Sequence, residues 1–102
     1  MVKEITDEKA FDESIKTGLV IVDFFATWCP PCQKIAPVFE ELSKKYPNIT
    51  FLKVDTTKCP AVLKKFNVTS IPTFVCFKDG KSVDRREGAD KQELEELLNH
   101  FK

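Results

Sequence analysis

Hydrophobic residues along the chain change their spacing several times, and the changes predict short strands alternating with helices. Residues 19–26 and 73–78 are apolar at nearly every position, which is typical of strands covered on both faces. The segment after residue 32 instead repeats apolar residues at helical spacing, namely Ile35, Val38, Phe39, Leu42 and Tyr46. The pattern therefore predicts central strands joined by an amphipathic helix, with Pro37 expected to kink that helix.

The remaining segments complete an α/β order of five strands and four helices. Further strands are predicted at residues 2–5, 49–55 and 81–87, and further helices at residues 7–17, from Cys59-Pro60 onward and after Asp90. A helix between two strands predicts a parallel crossover, whereas Asp79-Gly80 predicts a tight turn and hence an antiparallel edge strand. We therefore expect one mixed five-stranded sheet with helices on both faces, in a single domain spanning residues 1–102.

Charge and hydropathy narrow the range of partners. The 102 residues include sixteen basic and sixteen acidic side chains, so the basic excess typical of nucleic-acid-binding proteins is missing. The apolar run at residues 19–26 is interrupted by Asp23 and is too short to span a bilayer. The first eight residues are charged and lack the apolar centre of a secretory signal. We therefore expect a cytoplasmic protein, with nuclear entry left open, that binds neither nucleic acid nor membranes.

The candidate chemistry lies in Cys29-Pro30-Pro31-Cys32, between a central strand and the start of a helix. Open α/β sheets place their sites at this end of the strands. Two residues between the cysteines bring both sulfurs together across the first helical turn. The free N–H groups and positive dipole of the helix start favour a thiolate at Cys29, which is the attacking species in disulfide exchange. We expect Cys29 to be the nucleophile and Cys32, one turn into the helix, to be the more buried resolving thiol.

A structural zinc site is the alternative for these cysteines. Zinc sites usually combine two close pairs of ligands, but Cys59 and Cys76 are far from the dithiol and from each other in sequence. The single histidine, His100, lies in the last helix. We therefore expect no metal.

Asp23 is the second candidate, because it interrupts an apolar strand that leads to the dithiol. If it is buried beneath Cys32, desolvation raises its pKa and fits it for proton transfer to or from that thiol. The alternative is that Asp23 faces water at an irregularity of the strand. Lys53 interrupts the next strand and is either a charge partner of Asp23 or a side chain that extends to solvent.

Several segments in order along the chain resemble the thioredoxin family. They are residues 22–29, Cys32 with Ile35-Ala36-Pro37, Ile71-Pro72-Thr73-Phe74, Asp79-Gly80 and Gly88-Ala89. In particular, the chain resembles animal-type cytosolic members with a Cys-Pro-Pro-Cys active site. The resemblance implies the thioredoxin fold and a monomeric protein-disulfide reductase with no bound cofactor. It also implies that thioredoxin reductase supplies electrons from NADPH.

The resemblance also assigns roles to individual residues. Cys29 and Cys32 correspond to the nucleophile and the resolving thiol, Asp23 to the buried acid and Lys53 to its neighbour. Pro72 corresponds to a cis-proline that faces the dithiol. The shallow groove that holds the substrate chain corresponds to Trp28, Ile71, Gly88 and Ala89. Other interpretations stay open for two of them, since Trp28 is compatible with a core position and Gly88 with a loop that needs its backbone angles.

The sequence departs from the family pattern in two places. Pro30 stands where the family usually has glycine, and it lacks an N–H that otherwise points at the Cys29 thiolate. Pro30 also restrains the loop. These effects oppose each other, so the sequence does not fix the direction in which the reduction potential changes. We hypothesise that Pro30 alters the reduction potential without abolishing activity. The second departure is Arg85-Arg86-Glu87 before Gly88, where the family often has a small or apolar residue. These charges either influence partner docking or belong to a solvated edge strand.

The other two cysteines lead to different expectations. Cys76 lies on a strand that is apolar on both faces, so we expect an inert buried thiol. Cys59 precedes Pro60 at a helix start, which makes it a candidate for regulatory oxidation or glutathionylation if it is exposed. The alternatives to a reductase are an oxidase or isomerase on the same fold, or a redox-silent or zinc-stabilised binding module.

Overall fold

Five strands form one sheet in the computed structural model, which describes residues 1–102. The strands are β1 (Val2–Ile5), β2 (Leu19–Phe25), β3 (Ile49–Asp55), β4 (Thr73–Lys78) and β5 (Lys81–Glu87). The helices are α1 (Glu8–Ser14), α2 (Pro30–Lys45), α3 (Pro60–Lys65) and α4 (Lys91–Phe101). None of the four helices combines enough length and hydrophobicity to cross a bilayer.

The strand order across the sheet is β1-β3-β2-β4-β5. Strand β3 pairs in parallel with both β1 and β2, whereas β4 is antiparallel to β2 and β5 is antiparallel to β4. The predicted mixed sheet is therefore confirmed. Strand β2 is central, and its side chains enter the apolar cores on both faces of the sheet, with Val22 in one and Ile21 in the other, which explains why its sequence is apolar on both faces.

The sheet separates two apolar cores. On one face, Phe11 of α1 packs with Phe24 and Phe77, with ring centroids 6.2 and 5.8 Å away. On the other face, Phe39 of α2 packs with Phe74 at 5.5 Å between centroids. Burying each of these rings stabilises the fold by about 1.5–3 kcal/mol. Helices therefore cover both faces, as the sequence pattern predicts.

Acidic side chains begin two of the helices. Asp7 accepts a hydrogen bond from the Ala10 amide at 2.8 Å, and Asp90 accepts one from the Glu93 amide at 3.0 Å. Both satisfy an amide that has no partner within the helix, which explains why α1 and α4 start where they do.

Helix α1 ends at Ser14, so the prediction that it reaches residue 17 is wrong. The chain leaves the helix because Gly18 is bound to the turn between β4 and β5. The Gly18 amide donates to the Asp79 carboxylate at 2.8 Å, and the Asp79 amide donates back to the Gly18 carbonyl at 3.0 Å. The turn itself has positive φ at Asp79 (49°) and Gly80 (88°), as a tight hairpin turn requires.

Candidate active site

The end of β2 and the start of α2 position the two cysteines. Cys29 occupies the position that caps α2, and its amide donates to the Ala26 carbonyl at 3.3 Å. Pro30 and Pro31 then form the first turn of α2, where proline's fixed φ suits the helix and its missing N–H breaks no helical hydrogen bond. The local sequence thus places Cys29 at the positive end of a sixteen-residue helix.

Cys29 and Cys32 are joined by a disulfide bond, with their Cα atoms 5.2 Å apart. The structure is therefore that of the oxidised protein. Both residues are buried, with 4% of Cys29 and 3% of Cys32 exposed, so in the disulfide form Cys32 is the more buried of the two by a narrow margin.

One backbone amide of α2 points at the Cys29 sulfur. The Cys32 amide donates a hydrogen bond to Cys29 Sγ at 3.3 Å. Because Pro30 and Pro31 have no N–H, the Cys32 amide is the first one that α2 offers. A sulfur in this position gains a hydrogen-bond donor and the helix dipole, both of which favour a thiolate once the disulfide is reduced.

Asp23 lies in the interior, so the alternative in which it faces water is wrong. It is 3% exposed because β3 and β4 flank it, with Lys53 and Phe74 at the opposing positions. Burial raises the Asp23 pKa from 3.8 to about 7, while the Lys53 charge acts in the opposite direction. The Asp23 Oδ1 atom has no hydrogen-bond partner in the protein, so no hydrogen bond to this atom offsets the cost of burying the charge.

Lys53 acts as a charge partner of Asp23, and its side chain is also partly exposed to solvent. It stands directly opposite Asp23 in the strand register and contributes positive charge to its surroundings. Its side chain is half-buried, and its Nζ lies 5.6 Å from the centroid of the Phe25 ring. The ammonium therefore influences Asp23 through space.

A cavity of about 260 Å³ joins Asp23 to the dithiol. Its lining comprises Asp23, Phe25, Ala26, Thr27, Cys32, Gln33, Ala36 and Lys53. The Gln33 side-chain amide crosses its rim and donates to the Thr27 carbonyl at 2.6 Å. Neither Gln33 nor Thr27 was predicted as a site residue, because an exposed glutamine one residue after a cysteine belongs to no recognisable motif.

The predicted groove residues lie on the surface around the disulfide. Trp28 is 70% exposed, so the core interpretation of this residue is wrong. A second cavity, of about 240 Å³, lies between Trp28 and Ile71 and is also lined by Thr56, Leu63, Val68, Thr69 and Ser70. Ile71 packs against the cluster that contains Cys29 and Cys32. The structure thus brings the exposed indole, the disulfide and Ile71 together.

Pro72 and Gly88 close the other side of this surface. The Ile71-Pro72 bond is cis, and the Pro72 carbonyl accepts a hydrogen bond from the Gly88 amide at 2.8 Å. Gly88 has φ of +99°, so the interpretation that its backbone angles require glycine is correct, whatever else it contacts. Ala89 follows on the surface and is exposed.

The remaining cysteines lie in the core. Cys59 is 0% exposed, so the condition on which its regulatory role depends is not met; burial, with nearby carboxylates, raises its thiol pKa. Cys76 is also 0% exposed, and burial raises its pKa to about 12, as expected for an inert thiol. No three histidine, cysteine or acidic side chains come together in an arrangement that fits a metal ion. His100 is exposed, and its Nδ1 lies 2.8 Å from the Glu96 carbonyl of the same helix.

The charged residues before Gly88 form specific contacts that the sequence did not predict. Arg85 donates to the carbonyls of Phe66 and Asn67 at the end of α3 and also contacts Glu87. Arg86 pairs with Asp84 at 2.9 Å. Arg85 therefore connects β5 to the end of α3, whereas the ion pair of Arg86 stays within β5.

Known proteins resemble the chain over its whole length. Residues 2–100 match the thioredoxin family. Thioredoxin 1 of Plasmodium falciparum is 47% identical over 102 residues, which cover 99% of this chain and 98% of that protein. The thioredoxin of Callithrix jacchus is 45% identical over 104 residues, which cover 99% of both chains. The solved structure of Plasmodium falciparum thioredoxin is 46% identical and superposes with a TM-score of 0.95, covering 98% of this chain and 99% of that one.

These matches agree with the geometry of the site. This chain has a disulfide at the start of a helix, next to a central strand of a five-stranded mixed sheet, and its fold superposes on that of a solved thioredoxin. Cys29 and Cys32 form its redox-active pair. The chain therefore belongs to the thioredoxin family and is a thiol–disulfide oxidoreductase that reduces protein disulfides.

Proposed function

We propose that the chain works without a bound cofactor and passes electrons from NADPH, through thioredoxin reductase, to disulfides of partner proteins. The observation that carries this proposal is the position of the Cys29 sulfur, which caps α2 and accepts the Cys32 amide at 3.3 Å. A thiol held there ionises more readily than a free one. Cys32 is within bonding reach, so the protein releases its substrate without a second molecule of thiol.

In the first step, the Cys29 thiolate attacks one sulfur of the substrate disulfide. The substrate S–S bond breaks, a mixed disulfide forms with Cys29, and the leaving sulfur of the substrate takes up a proton. The helix dipole and the Cys32 amide stabilise the thiolate before the attack.

In the second step, the Cys32 sulfur attacks Cys29, the mixed disulfide between Cys29 and the substrate breaks, and the departing substrate sulfur takes up a proton from water, so that the substrate leaves as a dithiol. Asp23 accepts the Cys32 proton across the cavity that both residues line. Its pKa of about 7 suits this task, because a base is most effective when its pKa lies near the working pH. Lys53 keeps that pKa from rising further. The electron pair of the dithiol now resides in the substrate, and the Cys29–Cys32 bond waits for the reductase.

The substrate chain lies in a groove formed by Trp28, Ile71, Gly88 and Ala89, beside Pro72. Support comes from the exposed indole, the cavity between Trp28 and Ile71, and the contact of Ile71 with the disulfide cluster. The Gly88 amide donates a hydrogen bond to the Pro72 carbonyl, which fixes the far edge of the groove.

Insulin reduction in the presence of thioredoxin reductase and NADPH tests the proposed cycle. Cys29→Ser is expected to abolish turnover, and Cys32→Ser to accumulate a mixed disulfide with insulin that mass spectrometry detects. Cys76→Ala serves as the control, because it removes a cysteine outside the site. A Cys29→Ser protein that still reduces insulin refutes the mechanism. A protein that oxidises reduced substrates but draws no electrons from the reductase is an oxidase or isomerase.

Three finer assignments stay predictions from the sequence: the animal-type subgroup, the cytoplasmic location and the monomeric state. Relatives from a protozoan parasite and a primate match to within two percentage points, at 47% and 45% identity, so overall identity does not distinguish subgroups. Fractionation of cells tests the cytoplasmic location, and sedimentation of the purified chain tests the monomeric state.

A further inference from the structure

We propose that Arg85 is a positioning residue for substrate binding, because its guanidinium fixes the end of α3 and with it the groove wall at residues 68–71. The inference rests on the proposed function of the groove. Arg85 lies on the edge strand β5 and is not one of the residues that carry out the disulfide exchange, namely Cys29, Cys32 and Asp23.

The contacts of Arg85 are those of a helix cap. Its Nη1 donates to the Phe66 carbonyl at 2.8 Å, and its Nη2 donates to the Asn67 carbonyl at 3.3 Å. The last carbonyls of a helix have no partner within it, and a positive charge there is favourable. A guanidinium carries five N–H donors in one plane, so it binds both carbonyls at once. Glu87 Oε2, 3.2 Å from Nη2, holds the group in place.

The wall that follows α3 has few other attachments. The Val68 amide donates to the Leu63 carbonyl at 2.9 Å, and at the other end the Pro72 carbonyl accepts the Gly88 amide at 2.8 Å. Between these points, residues 69–71 donate none of the backbone hydrogen bonds found outside the helices and strands, and the Ser70 carbonyl accepts from the Thr73 hydroxyl at 2.5 Å. The wall is thus held chiefly at its ends, and both ends are tied to β5 or the residue after it.

The same wall borders the cavity next to Trp28. Leu63, Val68 and Ile71 line that cavity from the wall side. Ile71 also packs against the disulfide, but the backbone that carries the two sulfurs belongs to the start of α2 and not to the wall. Releasing the wall therefore changes the width of the groove while leaving the sulfurs in place. A substrate that needs the groove is affected, whereas a small disulfide that reaches Cys29 directly is not.

Arg86 offers a matched control. Its side chain is 33% exposed, against 34% for Arg85, and it has the same charge and a neighbouring position on the same strand. It donates to Asp84 at 2.9 Å and to the Arg85 carbonyl at 2.8 Å, and these contacts lie within β5. Comparing the two arginines separates a contact with the wall from a general effect of surface charge.

The experiment uses pre-reduced protein, so that docking to the reductase does not enter. Rates are measured with insulin, a protein disulfide, and with dithiobis(nitrobenzoic acid), a small disulfide. For Arg85→Met we expect the second-order rate constant with insulin to fall about tenfold, since charge-assisted hydrogen bonds are lost. Half-saturation shifts to higher insulin concentration, while the rate with the small disulfide stays close to that of the parent. Arg86→Met is expected to resemble the parent with both substrates.

Two further variants make each outcome decisive. Arg85→Lys keeps the charge but lacks the planar fork, so its rate with insulin is expected between those of the parent and Arg85→Met. If Arg85→Met does not fold, Arg85→Lys and Glu87→Gln replace it, and both must slow insulin selectively. Equal rates for Arg85→Met and Arg86→Met with insulin, or an equal loss with both substrates, overturns the inference.

Trp28→Ala separates this failure from failure of the groove itself. A normal insulin rate for Trp28→Ala means that the groove does not bind the substrate chain, and the proposed function loses that part. A slow Trp28→Ala together with a normal Arg85→Met rejects only the role of Arg85.

Discussion

Asp23 and Lys53 face each other directly on the parallel strands β2 and β3, yet Asp23 Oδ1 has no hydrogen-bond partner in the protein. Desolvation therefore outweighs the attraction of the nearby ammonium, and the Asp23 pKa rises to about 7. The pair makes the interior beside the dithiol sensitive to pH in the physiological range. The first two predictions follow from this arrangement.

Asp23→Asn is expected to stabilise the oxidised protein at pH 8 but not at pH 4. Between the ordinary pKa of 3.8 and about 7, folded Asp23 binds a proton that the unfolded chain has released. Raising the pH through that window therefore lowers the stability of the parent, and asparagine escapes this loss. The gain above pH 7 is about 2–4 kcal/mol in unfolding free energy. Urea unfolding across the pH range measures it.

Asp55→Asn is the control with the opposite sign. Hydrogen bonds from the Thr57 amide and hydroxyl, at 2.9 and 2.8 Å, lower the Asp55 pKa below 3.8. The stability this provides is present above pH 4 and is lost as the pH falls through the lowered pKa. Asp55→Asn should therefore destabilise the protein at pH 8. A constant difference between parent and Asp23→Asn at every pH contradicts the assignment of Asp23.

Lys53→Met is expected to raise the Asp23 pKa above 7. The Lys53 charge is what opposes the effect of burial, and its removal leaves desolvation alone. The pKa is expected to rise because the charge that stabilises the carboxylate is gone. Carbon NMR of the Asp23 carboxyl in oxidised protein follows the titration. Lys3→Met on exposed β1 is the control, and an Asp23 pKa that falls or stays constant in Lys53→Met argues against the pairing.

Pro31→Ala is expected to lower the pKa of the Cys29 thiol in the reduced protein. Capping side chains accept from the second or third amide of a helix, and here only the third, at Cys32, is present. Restoring the second amide adds a hydrogen-bond donor to the thiolate, which favours the charged form and lowers the pKa of the thiol. Thiolate absorbance against pH measures it. Pro37→Ala, inside the same helix but beyond its first turn, should leave the Cys29 pKa unchanged.

Pro30→Gly is expected to change the reduction potential of the Cys29–Cys32 pair while insulin reduction continues. Glycine adds an amide at the first helical position and also makes the loop more flexible. These two changes have opposing effects on the equilibrium between the dithiol and the disulfide. Equilibration with glutathione gives the potential. Pro47→Gly, beyond the other end of α2, controls for loop flexibility alone. Equal potentials for Pro30→Gly and the parent contradict the hypothesis.

Cys59 is expected to react with a limiting alkylating reagent no faster than Cys76. Both are fully enclosed and have raised thiol pKa values, so each reacts only when the fold opens. Mass spectrometry of peptides after brief treatment of the oxidised protein compares them. Preferential labelling of Cys59 would restore the idea of a regulatory thiol.

Local patterns in the sequence predict most of the fold. Strands β3, β4 and β5 have the predicted bounds, because β3 and β4 are short, mostly apolar runs and the charged strand β5 follows the clear turn signal at Asp79-Gly80. The end of α1 was missed because the contact that ends it joins Gly18 to Asp79, 61 residues away. No local pattern reports such a contact.

The site was predictable in part for the same reason. Spacing alone identified the dithiol at a helix start, but the direction of Asp23 depended on how β3 and β4 flank β2. The contacts of Gln33 and Arg85 end on backbone carbonyls, of Thr27 in one case and of Phe66 and Asn67 in the other. Every residue has such a carbonyl, so the sequence did not mark these partners.

The enclosure of Cys59 and Cys76 in the two cores sets how much each molecule can deliver. Neither sulfur can exchange with the pair at the start of α2 while the chain stays folded, so no internal reserve of reducing equivalents exists. Each molecule therefore donates a single electron pair before its disulfide has to be reduced again. The flux of electrons to substrates then scales with the abundance of the protein and the rate of its recharging.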